Sequence, residues 1–285
     1  MKFGFIGIGL MGGPLARNLV RAGKEVYFAG RSEAHVAGVL QAGATAHHVA
    51  SVSELADCDV VFTCLPLPQT VRQVMLEPEG LLSRLKPGSV YIDTSTIDPK
   101  TGAELEAFAQ QRDIGFLGCT LGMGPDQAEK AEEPIFAGGS QQVYASVRQV
   151  LELVGKPVYM GGVQQSYAFK IISNMVGMTN LAVLAEGIHL AEHAGIDRKL
   201  FLELLAVTGG ESNQLHRRGP MIARRDFANR FAVDLALKDI RLGCDMAQEW
   251  GYEPHFSQEA RQRFQQASEQ GHGGEDCAAV YKALE

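Results

Sequence analysis

The chain has 285 residues, 46% hydrophobic and 21% charged, enough for two modest hydrophobic cores. Its formal net charge of -7 gives it no electrostatic reason to seek nucleic acid or an anionic membrane surface. The five cysteines are scattered with no CxxC pair, which argues against a disulfide framework or a zinc site and for a reducing cytoplasm.

The N-terminus is only briefly apolar and lacks the basic start and long apolar stretch of a signal peptide. Short apolar runs at 3–7, 25–29, 60–65 and 89–93 read as buried strands, and 12–22, 32–41, 69–75 and 100–111 as the helices between them. Strands alternating with helices imply a parallel sheet with right-handed crossovers. Apolar runs at 114–117, 134–137 and 157–160 complete this half. His47-His48 falls on an expected loop. After Gly161-Gly162 the period changes, and 165–195 carries apolar residues at helical spacing with no proline. At 1.5 Å per residue it spans roughly 45 Å, long enough to join two domains. No run approaches the about 18 uninterrupted apolar residues of a membrane helix. The remainder, at 198–206, 232–250 and 257–270, is helical by period.

Gly7-Ile8-Gly9-Leu10-Met11-Gly12 follows the first strand and opens a helix. A lone GxGxxG is weak, but in this strand–turn–helix context it is a dinucleotide-binding signature. Gly7 permits the tight turn, Gly9 lets backbone approach a pyrophosphate, and Gly12 lets helix and strand pack closely. The helix N-terminus, with Leu10 and Met11, offers N–H groups and a positive dipole end to the phosphates. The fold class that follows is α/β: a Rossmann-type parallel sheet domain over 1–162, and an all-α domain over 163–285 joined by the long helix.

The second strand ends at Arg31-Ser32, where an NAD site usually places Asp or Glu for the ribose hydroxyls. A guanidinium and a hydroxyl suit a 2′-phosphate instead, so NADP is the expected cofactor and NAD the alternative. The competing reading of Arg31 is an ordinary exposed arginine. Leu65-Pro66, Thr70 and Thr96 lie at or after the carboxyl ends of later strands, where such sheets bind ligands, and are further cofactor candidates. Ser95 is a candidate substrate contact, and Cys64 beside it reads as a buried small residue rather than a nucleophile.

The set Gly7/Gly9/Gly12, Leu65-Pro66, Asp93-Thr94-Ser95-Thr96-Ile97, Lys170 with Asn174, and Lys238-Asp239 resembles the β-hydroxyacid dehydrogenase family, over essentially the whole chain. That family includes 3-hydroxyisobutyrate dehydrogenase and tartronate semialdehyde reductase, and is related to 6-phosphogluconate dehydrogenase. The resemblance implies a Rossmann-type domain, an interdomain helix and a helical domain that forms homo-oligomers. It implies Lys170 as the catalytic lysine and Lys238 as a lysine that reaches the cofactor. Three departures fall in the substrate region. The family's Asp-Ala-Pro-Val-Ser-Gly-Gly segment is here Gly118-Cys119-Thr120-Leu121-Gly122-Met123-Gly124. Gln164 and Ser166 replace glycines before the lysine, and Ser173 replaces an asparagine.

Hydride transfer to a carbonyl builds negative charge on its oxygen, so a positioned acid must supply a proton. Lys170, in the apolar run Ala168-Phe169-Lys170-Ile171-Ile172, suits that task, and Asn174 shares its helix face. The backbone N–H groups of Gly122, Met123 and Gly124 are expected to bind the anionic end of a small-molecule substrate. Because Gly122 lacks the family's hydroxyl, a sulfonate or amide in place of carboxylate is left open. Ser212 and Asn213 either reach that pocket or cap the next helix. His189 and His193, at i, i+4 spacing, read as helix-face imidazoles rather than a metal site. The expected activity is hydride transfer between nicotinamide and a small 3-hydroxy acid or semialdehyde. The competing readings are an imine reductase and a non-catalytic nucleotide sensor.

Overall fold

β1 (Lys2–Ile6) runs into α1 (Gly12–Arg21), followed by β2 (Glu25–Ala29), α2 (Glu33–Leu40), β3 (Ala46–His48) and β4 (Val60–Thr63). Then come α3 (Pro68–Met75), β5 (Val90–Asp93), α4 (Pro99–Gln110), β6 (Gly115–Leu121) and α5 (Pro125–Glu129). β7 (Pro134–Gly139), α6 (Gln141–Val154) and β8 (Lys156–Tyr159) complete the alternation. The computed structural model describes residues 1–285. Two units separate by their internal contacts, Met1–Lys170 and Ile171–Glu285. The break expected after 162 coincides with the head of the long helix, and the units divide within that helix.

The eight strands form one sheet in the order β3-β2-β1-β4-β5-β6-β7-β8. β1 has β2 on one side and β4 on the other, so the turn after it lies where the winding direction reverses, the usual ligand end of such a sheet. β4 is buried along its length because both faces are covered. Val60 and Phe62 join one core with Phe5 and Leu15, while Val61 joins a second with Tyr91 and Leu105.

The structure corrects the expected sheet in three places. His47-His48 is not loop but part of β3, paired Tyr27↔His47 and Phe28↔His48. The His47 ring stacks on Tyr27 at 4.7 Å, so ring contact and ladder bonds hold an edge strand of poor intrinsic propensity. The sheet is not wholly parallel, because β7 runs antiparallel to β6. The intervening segment 122–133 carries only one short helix, and after it the chain turns back beside β6. Finally, α6 was not anticipated. It buries Val147, Val150, Leu151 and Val154 on one face and returns the chain to a parallel β8.

α7 (Val163–His193) runs through the division between the units. It is followed by α8 (Arg198–Leu205), α9 (Asn213–Arg217), α10 (Gly219–Arg224), α11 (Val233–Glu249) and α12 (His255–Ala267), with a 3₁₀ segment at Cys277–Leu284. By length and composition α7 is apolar enough to cross a membrane, yet Leu181 and Ile188 are fully buried in the second unit's core with Ile240, Cys244 and Phe264. The Ser212 hydroxyl accepts from the Leu215 N–H at 3.2 Å, so Ser212 is the cap of α9 and Asn213 its first residue. His189 and His193 meet edge to face, with ring centroids 4.5 Å apart. A deeply buried ion pair of this unit joins Arg218 to Asp276, 3.4 Å apart. Asp276 also accepts the N–H groups of Arg230, Phe231 and Ala278.

Candidate active site

The first turn is shaped by its glycines. Gly7 has φ +89°, and a Cβ there would lie 2.3 Å from the Cys64 carbonyl oxygen. A Cβ on Gly12 would lie 2.0 Å from the Gly7 carbonyl oxygen. Gly9 is different: a Cβ there would meet nothing within 4 Å. The middle of the turn is therefore an open cradle. It faces the start of α1, which no side chain caps and past which Leu10 projects into solvent with Met11 half-buried. An open backbone face and an uncapped helix N-terminus fit a pyrophosphate. Arg31 and Ser32 are both exposed, and Ser32 makes no capping bond with its hydroxyl although it stands at the N-cap of α2. Both side chains are thus available at the position expected to read the 2′-substituent.

Leu65 follows β4 with its N–H bound to the Ser95 hydroxyl oxygen at 2.9 Å, which ties two strand ends together. Pro66 is exposed, while Thr70 on α3 and Thr96 after β5 are half-buried. Burial pushes the Cys64 thiol up to about 11, away from the range of a nucleophile.

Ser95, a candidate substrate contact, has its hydroxyl committed inside the protein. It donates to Asp93 at 2.6 Å while accepting from Leu65, and Ser95 is only 2% exposed. Asp93 is fully buried and also accepts from Thr63 at 2.6 Å and from Tyr167 at 2.7 Å. Burial pushes the Asp93 carboxyl above the usual carboxylate range, and the donors from Ser95, Thr63 and Tyr167 oppose that rise. The Tyr167 bond locks the first turns of α7 to the end of β5. The Tyr167 ring also explains one departure from the family pattern, since a Cβ on Gly118 would lie 2.7 Å from it. No aspartate fits there.

The turn 122–124 does not offer the free donors expected of it. Gly122 N–H bonds to the Pro134 carbonyl at 2.9 Å. Met123 and Gly124 donate to the two oxygens of one carboxylate, that of Glu133, the second bond being 3.0 Å. Glu133 is fully buried. Burial pushes its carboxyl upward, opposed by the Met123 N–H, the nearby Lys170 ammonium and the Gly124 N–H. A side chain at 122 is also excluded, because a Cβ there would lie 2.9 Å from the Phe136 ring.

Lys170 is 8% exposed, on the third turn of α7. One turn before it, Ser166 donates to the Phe136 carbonyl at 2.6 Å and lies 3.3 Å from the Thr120 hydroxyl. The serine that replaces a family glycine thus pins the helix to β6 and β7. In the second unit, Asn174 donates its amide to Asp239 at 2.5 Å, and Lys238 pairs with the other Asp239 oxygen at 2.7 Å. Asp239, 1% exposed, is the organising residue of this trio, and Lys238 meets a carboxylate of its own unit.

Residues 2–162 match the NAD binding domain of 6-phosphogluconate dehydrogenase. Residues 165–284 match the NAD-binding family of NADP-dependent 3-hydroxyisobutyrate dehydrogenase. The 2-(hydroxymethyl)glutarate dehydrogenase of Eubacterium barkeri is 33% identical over 100% of this chain and 95% of its own. The chain belongs to the β-hydroxyacid dehydrogenase family. A crystal structure of 3-hydroxyisobutyrate dehydrogenase from Salmonella typhimurium superposes with a TM-score of 0.91 at 28% identity, covering 99% of each chain. An imine reductase from Pseudomonas sp. shares the fold at a TM-score of 0.64 and 19% identity, over 100% of this chain and 99% of its own. As a member of this family the chain is an NAD(P)-dependent oxidoreductase acting on CH–OH groups of hydroxy acids. The Rossmann-type domain followed by a helical domain stands as expected from the sequence.

Proposed function

We propose that this dehydrogenase exchanges a hydride between NADP(H) and a small 3-hydroxy acid or its semialdehyde, with Lys170 moving the proton. The observation that carries the reading is a lysine 8% exposed in an apolar helix, within electrostatic reach of a fully buried glutamate. A charge in such a place has a high desolvation cost, and positioned proton donors are a common reason to bear it.

The nicotinamide, when bound, supplies the hydride in reduction and takes it in oxidation. The residues that would hold the dinucleotide are the open face at Gly9, the N–H groups opening α1, and Arg31 with Ser32. In reduction the Lys170 ammonium gives a proton to the carbonyl oxygen as charge builds there; in oxidation the amine takes the hydroxyl proton. The Asn174 amide, fixed by Asp239, is the orienting group. The names of the similar Eubacterium and Salmonella enzymes both describe an alcohol carbon β to a carboxylate, which supports the substrate class. Five free cysteines support a cytoplasmic setting.

The test is NADPH oxidation with a panel of small aldehyde acids, run beside Lys170→Ala and Arg31→Ala. Lys170→Ala loses roughly 10²–10⁴-fold in kcat and still binds NADPH, as read by cofactor fluorescence. Arg31→Ala weakens NADPH more than NADH. Turnover of imines by wild type together with full activity in Lys170→Ala refutes the mechanism, and tighter NADH than NADPH binding refutes the cofactor preference.

A further inference from the structure

The 122–124 turn is already a filled anion site. Two successive backbone N–H groups, of Met123 and Gly124, converge on one carboxylate in the arrangement that captures an anionic ligand. The carboxylate belongs to the chain itself. Glu133 is fully buried, its own carbonyl is fixed by the Lys156 N–H at 2.7 Å, and the Lys170 ammonium lies within electrostatic reach. A buried glutamate held by two donors, within electrostatic reach of a buried lysine, is expensive to build and has no packing role that a leucine would not fill.

We propose that Glu133 is a specificity-determining residue: its carboxylate occupies the anion site that the 122–124 turn would otherwise offer to substrate, and it is the counter-charge of Lys170. The role of Lys170 in turnover rests on the function proposed above; the filling of the turn does not. Two consequences follow from charge alone. A substrate acid group placed against this turn meets a resident carboxylate, so an uncharged hydroxyl or amide is favoured there. Removing the Glu133 charge lowers the pH at which Lys170 gives up its proton, because an ammonium loses a nearby negative partner.

Both are read on full-length Glu133→Gln, Glu133→Asp and Glu133→Leu. The first readout is the pH midpoint of Lys170 acetylation by acetic anhydride, followed by peptide mass, beside the alkaline limb of the pH profile for aldehyde reduction. Glu133→Gln shifts both midpoints down by about one pH unit, while Glu133→Asp, which keeps the charge, stays with wild type. The second readout is the ratio of kcat/KM for an aldehyde acid to that for its amide. It rises about tenfold in Glu133→Gln and further in Glu133→Leu, which also releases the two N–H groups. Glu133→Leu carries both measurements if Glu133→Gln folds poorly, because it adds no side-chain amide that must find partners of its own. An unmoved acetylation midpoint or an unmoved ratio in a folded charge-removing variant overturns the proposal. Wild-type turnover in Lys170→Ala instead removes the proton-transfer reading, and the acetylation midpoint then still decides the pairing.

Discussion

Replacing Tyr167 with phenylalanine removes one oxygen from the middle of the first unit. That oxygen donates to Asp93 at 2.7 Å, and both residues are fully buried. The ring remains, so the packing against Gly102 and Gly118 is unchanged. What is lost is one of the donors that make a buried carboxylate tolerable, leaving those from Ser95 and Thr63. A hydrogen bond to a charged group contributes about 1.5–3 kcal/mol and a neutral one about 1 kcal/mol. The deficit therefore depends on whether Asp93 is ionised. Its folded-state pKa is raised above the ordinary 3.8 by burial, so the folded protein holds that proton more tightly than the unfolded chain. The stability this confers is fully present below 3.8 and is lost as pH rises through the folded-state pKa. Tyr167→Phe raises that pKa further, so it destabilises by about 2 kcal/mol where Asp93 is ionised and by about 1 kcal/mol once Asp93 is protonated. Urea unfolding followed by circular dichroism at several pH values measures it, since the single tryptophan, Trp250, reports on the other unit. A deficit that is absent, or the same at every pH, refutes the account.

Other substitutions separate binding from folding. Gly9→Ala enters open space, so it keeps the wild-type melting temperature and weakens NADPH binding, read by fluorescence titration. Gly12→Ala drives a methyl into the Gly7 carbonyl, so it lowers the melting temperature even without cofactor. Arg218→Met leaves Asp276 buried without its partner and costs about 3–5 kcal/mol in the second unit, measured by the change in Trp250 fluorescence on denaturation.

The alternation of strands and helices and the glycine turn were legible because each is a local signal: period, length and flanking glycine. The direction of β7 was not, since an apolar run such as Pro134-Ile135-Phe136-Ala137 reads alike in either sense. α6 has a legible stripe at Val143, Val147, Val150 and Val154, but its valines favour extended structure and mask it. Glu133 sits in the charge-dense run Glu129-Lys130-Ala131-Glu132-Glu133, which looks like a solvated surface. Nothing local separates the buried glutamate from its exposed neighbours, because burial there is decided by the N–H groups of Met123 and Gly124. Lys170 and Asn174 were singled out by their pattern, whereas Asp239's place between Asn174 and Lys238 emerges only when the helices are packed.

The one reversed strand governs where chemistry can be added to this sheet. In an all-parallel arrangement, the residue just ahead of a strand enters from the bottom edge, the length of a strand or about 20 Å from the ligand end. By doubling back after Leu121, the chain starts β7 at the top, so the position preceding Pro134 opens directly onto the rim that also bears Gly7, Leu65 and Ser95. A hairpin that looks like a topological irregularity thereby turns a strand entrance into a slot for a functional side chain.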